Sequence, residues 1–417
     1  MTEQAKSTTE QLESGQNISL NRQADSVQSV PISEPRLAHT TCNGKIYCGD
    51  SLQLLKNQEI VQPGSVNLIM TSPPFGLVRQ KEYGNVDADE YLEWFRPFAQ
   101  AFYNSLADNG SLVIDIGGAW IPGQPTRSLY HYELLIMLCR EFHFHLAQEF
   151  YWWNPSKLPS PAEWVTVRRI RVKDAVNCIW WLSKTPWPKA SNMRVLQPYS
   201  DSMQELLQNG YKAKLRPSGH DISTKFSYDN GASIPPNLLA IPNTESNSTY
   251  LRYCSEHNLK AHPARFPALL PEYFIRMLTD SGDLVIDPFA GSCVTGEVAE
   301  RLKRRWICAE LREDYVESAL SRFTDGDKAV ASNGNAEKYY KLARPGLLWN
   351  GVDDEPLPQD GGKKRQFQPK VVNPSAIDSK AEAQHVDADE PNTHEIAVTK
   401  RKSMKPEVAA QYQDYLW

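Results

Sequence analysis

The chain has 417 residues, 41% of them hydrophobic and 23% charged, with a formal net charge of −5. This is apolar material for one large core or two modest ones, and the net acidity taken alone argues against nucleic acid as a partner. Seven singly spaced cysteines without a C-x-x-C pair read as reduced core residues and argue against a disulfide or metal framework, and no apolar run approaches the ~18–20 residues of a membrane span; with a polar N-terminus, a cytoplasmic protein is expected.

Residues 1–40, rich in Ser, Gln, Thr and Glu and lacking a periodic apolar face, read as a disordered tail. From 41 to 185, apolar runs at 45–48, 66–70, 111–116, 147–153 and 175–182 predict strands, and the stretches 88–106 and 127–141 predict helices. Residues 186–260 break this rhythm. They contain KLRPSGHDISTKFSYDNGASIPPN, polar and loop-rich, which reads as a separate small module or long insertion. From 261 to 325 the alternation resumes, with strands at 283–286 and 306–309 and helices at 271–279, 295–302 and 313–323. Beyond 326 the composition becomes polar and Pro- and Gly-containing, a second mostly disordered tail. No repeat of 20–50 residues is present. The pattern predicts an α/β fold, a doubly wound and mostly parallel sheet with a smaller inserted module.

Two strand ends carry chemistry. TSPPF follows the apolar run 66–70, and there Pro73 and Pro74 have no N–H while Ser72 is pushed toward extended geometry, which makes a stiff rim of acceptors. The second, DLVIDPFAGSCVTGEVAERL, passes from strand through Asp287, Phe289, Gly291 and Ser292 into a helix, an arrangement that brings a helix N-terminus to a nucleotide. Glu310 ends the next strand about 20 residues later, where such folds place an acceptor for ribose hydroxyls; a helix-capping glutamate is the alternative. Neither G-x-x-x-x-G-K-[ST] nor G-x-G-x-x-G occurs, which leaves a nucleoside cofactor with no phosphate to satisfy, such as S-adenosylmethionine.

With TSPPF ahead of DPFAGS, the chain resembles the amino-methyltransferases of DNA in their permuted order. Further segments, among them IYCGDSLQLL, SLVIDIGGAW, FYWWNPSKLPSP, RRIRVKDAVN, RPSGHDI and KAHPARFP, are similar to PvuII-type modification methylases over roughly residues 45–325. The resemblance implies an S-adenosylmethionine-dependent fold with catalytic half at 41–185, target-recognition module at 186–260 and cofactor half at 261–325. It also implies cytosine-N4 methylation at a short palindromic duplex site, with CAGCTG the best single guess, and a cognate restriction endonuclease as functional partner. A monomer or weak dimer is expected.

By this resemblance Ser72 and the Pro73 carbonyl accept the amine N–H bonds beside Pro74, Phe75 stacks on a base taken out of the duplex, and Asp115 is a second amine acceptor. Asp50 belongs to the adenosine side, with a turn-forming Asp as its ordinary explanation, and Pro263 and Phe266 wall the methionine end. No metal is required. A cytosine-C5 mechanism needs a Pro-Cys nucleophile, and the chain has none.

DNA contacts are expected from Arg79 and Lys81 in the loop after the rim, from the basic stretch containing Arg168, Arg169, Arg171 and Lys173, and from Arg216, His220, Lys225 and Asn230 in the module. The bland alternative for the basic stretch is a solvated strand pair. Three other readings stay open: an adenine-N6 methyltransferase, against which Ser72 argues; a protein-amide methyltransferase; and an inactive DNA-binding protein.

Overall fold

Asp50 shows how local chemistry starts the fold, because its carboxylate accepts from the backbone N–H of Leu52 at 2.7 Å and of Gln53 at 3.3 Å and thereby caps a helix. That helix, α1 (Ser51–Lys56), follows the hairpin β1 (Arg36–Thr40) and β2 (Gly44–Cys48) in a computed structural model that describes residues 34–76, 87–209, 229, 232–244 and 249–323. Next come β3 (Val66–Thr71), α2 (Tyr91–Ser105), β4 (Leu106–Ile116), α3 (Tyr130–Arg140), β5 (His145–Trp153) and β6 (Val176–Ser183). The series closes with α4 (Asp201–Asn209), β7 (Leu238–Ala240), α5 (Thr249–Glu256), α6 (Leu269–Leu278), β8 (Leu284–Asp287), α7 (Val294–Arg301), β9 (Arg305–Glu310) and α8 (Glu313–Ala319).

Among the described residues, nine strands form one sheet in the order β1-β2-β9-β8-β3-β4-β6-β5-β7. From β2 to β4 every neighbouring pair is parallel, so β9, β8, β3 and β4 end at the same edge. Their apolar runs are buried from both faces, as expected of a doubly wound sheet. On one face α2 and α3 lay down Tyr91, Phe95, Phe98, Phe102, Tyr130 and Leu134 at helical spacing. On the other, α6 and α7 bury Leu270, Phe274, Ile275, Val294 and Val298. Gly296 permits the second contact, since a Cβ there would lie 2.7 Å from Cys293 Sγ and 2.9 Å from Cys308 Sγ. Among the described residues no helix is long and apolar enough to cross a membrane.

Every strand and helix expected from the sequence is present within a few residues. Two expectations are corrected. The tail placed at 1–40 gives way at its end to β1, whose backbone pairs antiparallel with β2. Between the strands expected at 147–153 and 175–182, residues 154–175 form a long hairpin loop with a π-helical turn at Glu163–Val167, flanked by β5 and β6, which run antiparallel to each other. The segment 186–260 is not wholly separate, because its β7 adds to the sheet edge beside β5.

Candidate active site

At the shared edge, the ends of β3, β4, β8 and β9, the hairpin loop and the segment before α6 enclose a cavity of about 560 Å³. Clefts of this size outside the carboxyl ends of parallel strands are the usual ligand sites of open α/β sheets. Its lining joins Ser72, Pro73, Pro74, Phe75 and Asp115 to Asp50, Pro263, Phe266, Phe289, Gly291, Ser292 and Glu310, twelve residues singled out in six separate stretches of sequence.

On the rim side, Ser72 donates its hydroxyl hydrogen to Asp115 Oδ2 at 3.2 Å, and Asn177 Nδ2 donates to Asp115 Oδ1 at 3.1 Å. Burial pushes the Asp115 carboxyl up to about 6, and the two hydrogen bonds hold it from going higher. With its hydrogen committed, Ser72 Oγ has only lone pairs left for the cavity. Phe75 is seated on Gly117, where an added Cβ would lie 2.6 Å from the ring. The buried Tyr130 hydroxyl donates to the Gly117 carbonyl and so fixes the backbone on which that ring rests.

On the second side, Gly291 adopts φ +53°, and its N–H donates to Glu310 Oε2 at 3.0 Å, while the N–H of Arg312 donates to Oε1 at 3.0 Å. Each oxygen keeps a further lone pair, which suits a pair of ligand hydroxyls. Loss of water around this carboxyl raises it to about 7. The neighbouring wall is aromatic: Phe289 lies 5.9 Å from Trp94 and 5.1 Å from Phe98 between ring centroids. The ring of His262 closes over Gly291, with Nδ1 2.5 Å from the Ala264 carbonyl oxygen, and burial lowers its pKa to about 4, so the imidazole is neutral. The features suit a nucleoside bearing a small charged chain: paired acceptors, a flat apolar wall and a close backbone approach.

Asp287 does not line the cavity. Its carboxylate accepts from Thr71 Oγ1 at 2.7 Å, Thr295 Oγ1 at 2.6 Å and the Phe289 N–H at 3.1 Å. It is a brace behind the site, tying the residue before Ser72 to the loop that carries Phe289 and Gly291. Asp50 caps α1 and also lines the cavity.

Among the expected DNA-contact residues, Arg168 and Arg169 are exposed, Arg168 pairing with Glu163 at 2.7 Å. Arg171 and Lys173 also have partners within the protein. The Arg171 guanidinium packs 4.0 Å from the Trp120 ring and donates to the Pro125 carbonyl at 2.5 Å, and Lys173 Nζ donates to the Lys157 carbonyl at 3.0 Å, so both heads contribute to the loop's own bonding. Arg79, Lys81, Arg216, His220, Lys225 and Asn230 lie outside the described residues.

Sequence reasoning missed Asn177, Lys157, His262 and the Trp94–Phe98 wall, all of which reach the cavity. Asn177 is unreadable because only the antiparallel register of β6 on β4 puts it next to Asp115. His262 sits inside HPARFP, where its nearness to a flanking proline was the available signal.

Comparison with known proteins agrees with this geometry. The DNA methylase family model N6_N4_Mtase matches residues 66–321. Type II methyltransferase M.PvuII of Proteus hauseri is 53% identical over 313 residues, covering 74% of this chain and 92% of that protein. Type II methyltransferase M.ScaI of Streptomyces caespitosus is 24% identical over 286 residues, covering 68% of this chain and 82% of its own. The solved structure titled PvuII DNA methyltransferase (cytosine-N4-specific) superposes with a TM-score of 0.57 at 46% identity, covering 75% of this chain and 96% of that one.

Proposed function

The chain belongs to the DNA methylase family of amino-methyltransferases, and on that premise we propose how its residues share the work of the reaction. It is a site-specific cytosine-N4 DNA methyltransferase that uses S-adenosylmethionine and acts as the modification enzyme of a restriction–modification system. The observation that carries the division of labour is a single cavity shared by the Ser72–Phe75 rim with Asp115 and by the Gly291–Glu310 pocket. Proximity of the two halves is what a direct transfer between two bound reactants requires.

S-adenosylmethionine supplies a methyl group already activated by positive sulfur. Glu310 takes the ribose hydroxyls, Phe289 with Trp94 and Phe98 walls the adenine, and Asp50 closes the nucleoside side. Gly291, Ser292, Pro263 and Phe266 enclose the rest. An extruded cytosine then stacks on Phe75. Its exocyclic amine is a poor nucleophile because the lone pair is delocalised into the ring. Ser72 Oγ and the Pro73 carbonyl accept its two N–H bonds, which favours a pyramidal nitrogen with the lone pair free for the methyl carbon. Asp115 holds the Ser72 hydrogen, keeping the oxygen an acceptor, and is the nearest carboxylate for the proton lost by the product nitrogen. Asn177 keeps Asp115 in that orientation.

The target is proposed to be CAGCTG with the inner cytosine as acceptor, read chiefly by residues of 186–260, and the functional counterpart is a restriction endonuclease cutting the same site. The test is transfer of labelled methyl to duplex DNA by wild type and Ser72→Ala, with the modified nucleoside identified by mass spectrometry. N4-methylcytosine that falls by about two orders of magnitude in the variant is expected from the loss of a positioned acceptor. An unaffected Ser72→Ala enzyme would remove the rim from the mechanism.

A further inference from the structure

The loop 154–175 between β5 and β6 exposes an unusual amount of apolar surface for its length. Val167 is 69% exposed, Ile170 59%, and Val172 84%. Single exposed aliphatics need no explanation, but three within six residues on one loop do. The loop is not loosely held. Ile170 N–H donates to the Trp164 carbonyl at 2.9 Å, Asp174 N–H to the Ser160 carbonyl at 3.1 Å, and Arg127 pairs with Asp174 at 2.9 Å while Arg171 covers Trp120. Both roots of the loop form cavity wall, through Asn154 and Lys157 on one side and Asp174 and Ala175 on the other. A rigid base beside the cavity therefore carries an apolar tip, and that tip is flanked by the exposed Arg168 and Arg169.

We propose that Val167, Ile170 and Val172 form a wedge that enters the duplex at the position vacated by the target cytosine, while Arg168 and Arg169 meet the phosphates alongside. The inference rests on the DNA-methylating reading above and adds the element that opens the helix. Extrusion leaves an unstacked gap and an unpaired base; apolar side chains inserted between base steps fill such gaps in proteins that distort DNA. Guanidinium groups beside an apolar tip complement the alternation of stacked bases and phosphates in a duplex. A protein partner is disfavoured by the loop's continuity with the wall of the base-receiving cavity.

The experiment compares single-turnover methylation by wild type, Val172→Ser/Ile170→Ser and Val172→Leu. One substrate is a duplex that carries the proposed CAGCTG site. The other is the same duplex with an abasic position opposite the target cytosine, so that the base is already free to leave. The double variant is expected to lose about 10- to 100-fold on the paired duplex and under about 3-fold on the opened one, since only the former must still be unstacked. Val172→Leu, which keeps an apolar tip, stays near wild type on both. Equal losses on the two substrates, or no loss on either, would overturn the wedge. A wild type that methylates neither duplex would overturn the reading beneath it, a result separable from the first because it involves no variant.

Discussion

Ser72 can act as an acceptor only because its own hydrogen has a fixed destination. Asp115 Oδ2 takes it, and the carboxyl is an acceptor at both oxygens, with no hydrogen of its own to donate, only while ionised. Burial raises this group to about 6. Below that pH the carboxyl binds a proton, becomes a donor and competes for the serine oxygen, so methyl transfer should fall on the acid side with a midpoint near 6 and level off above it. Asp115→Asn keeps the shape but removes the charge. It should slow single-turnover transfer on the order of 10²-fold, the usual scale of a lost proton acceptor, and flatten the acid limb. Cofactor affinity, measured by calorimetry, should change little, because the proposed cofactor contacts, Glu310 and Phe289, lie at the other end. A variant that retained the acid limb would assign that titration to another group.

Among the elements, β3, β8 and α7 are joined by one buried carboxylate. Asp287 holds Thr71, the residue before the rim, and Thr295, in the first turn of α7, so the two halves of the cavity share a fastening. Removing it leaves two buried hydroxyls without their acceptor, at a cost of about 1–3 kcal/mol each at most. Asp287→Ala should therefore lower the unfolding midpoint, and it should weaken cofactor binding and slow transfer together although the side chain touches neither reactant. Losing one property without the other would argue against the shared fastening. The sequence marked Asp287 as important through DPFAGS, yet its role could not be read there, because strand-end acids that face the ligand and those that face the neighbouring strand look alike. Parallel strands and their helices were legible, since long apolar runs fully buried on both faces admit few other readings. Short β7 and the edge strand β1 were not, because their pairing depends on β5 and β2 and their own residues carry little signal. Basic residues in 154–175 were legible as charge but not as contacts: Arg171 and Lys173 serve the loop, which only its folded path reveals.

At the scale of the whole molecule, the site has a price in stability. Asp115 and Asp287 are raised to about 6 and Glu310 to about 7, in each case chiefly by burial, so the folded protein binds protons that the unfolded chain has already released. Folded pKa values above the unfolded ones mean that stability is greatest at low pH with respect to these groups and is lost as pH rises through 6 to 7. Each unit between the two values is worth about 1.4 kcal/mol, so the cofactor-free protein should lose a few kcal/mol between pH 5 and pH 8. Urea unfolding across that range measures it, and the combined variant Asp115→Asn/Glu310→Gln should show a distinctly shallower slope, which separates these groups from the many surface acids. Cofactor binding should run the other way. If ribose hydroxyls donate to an ionised Glu310, as proposed, they favour the charged form, so the thermal shift on adding S-adenosylmethionine should be larger at pH 8 than at pH 6. A shift independent of pH would mean that Glu310 meets its ligand already ionised at both, and the strain would then lie with the two aspartates alone.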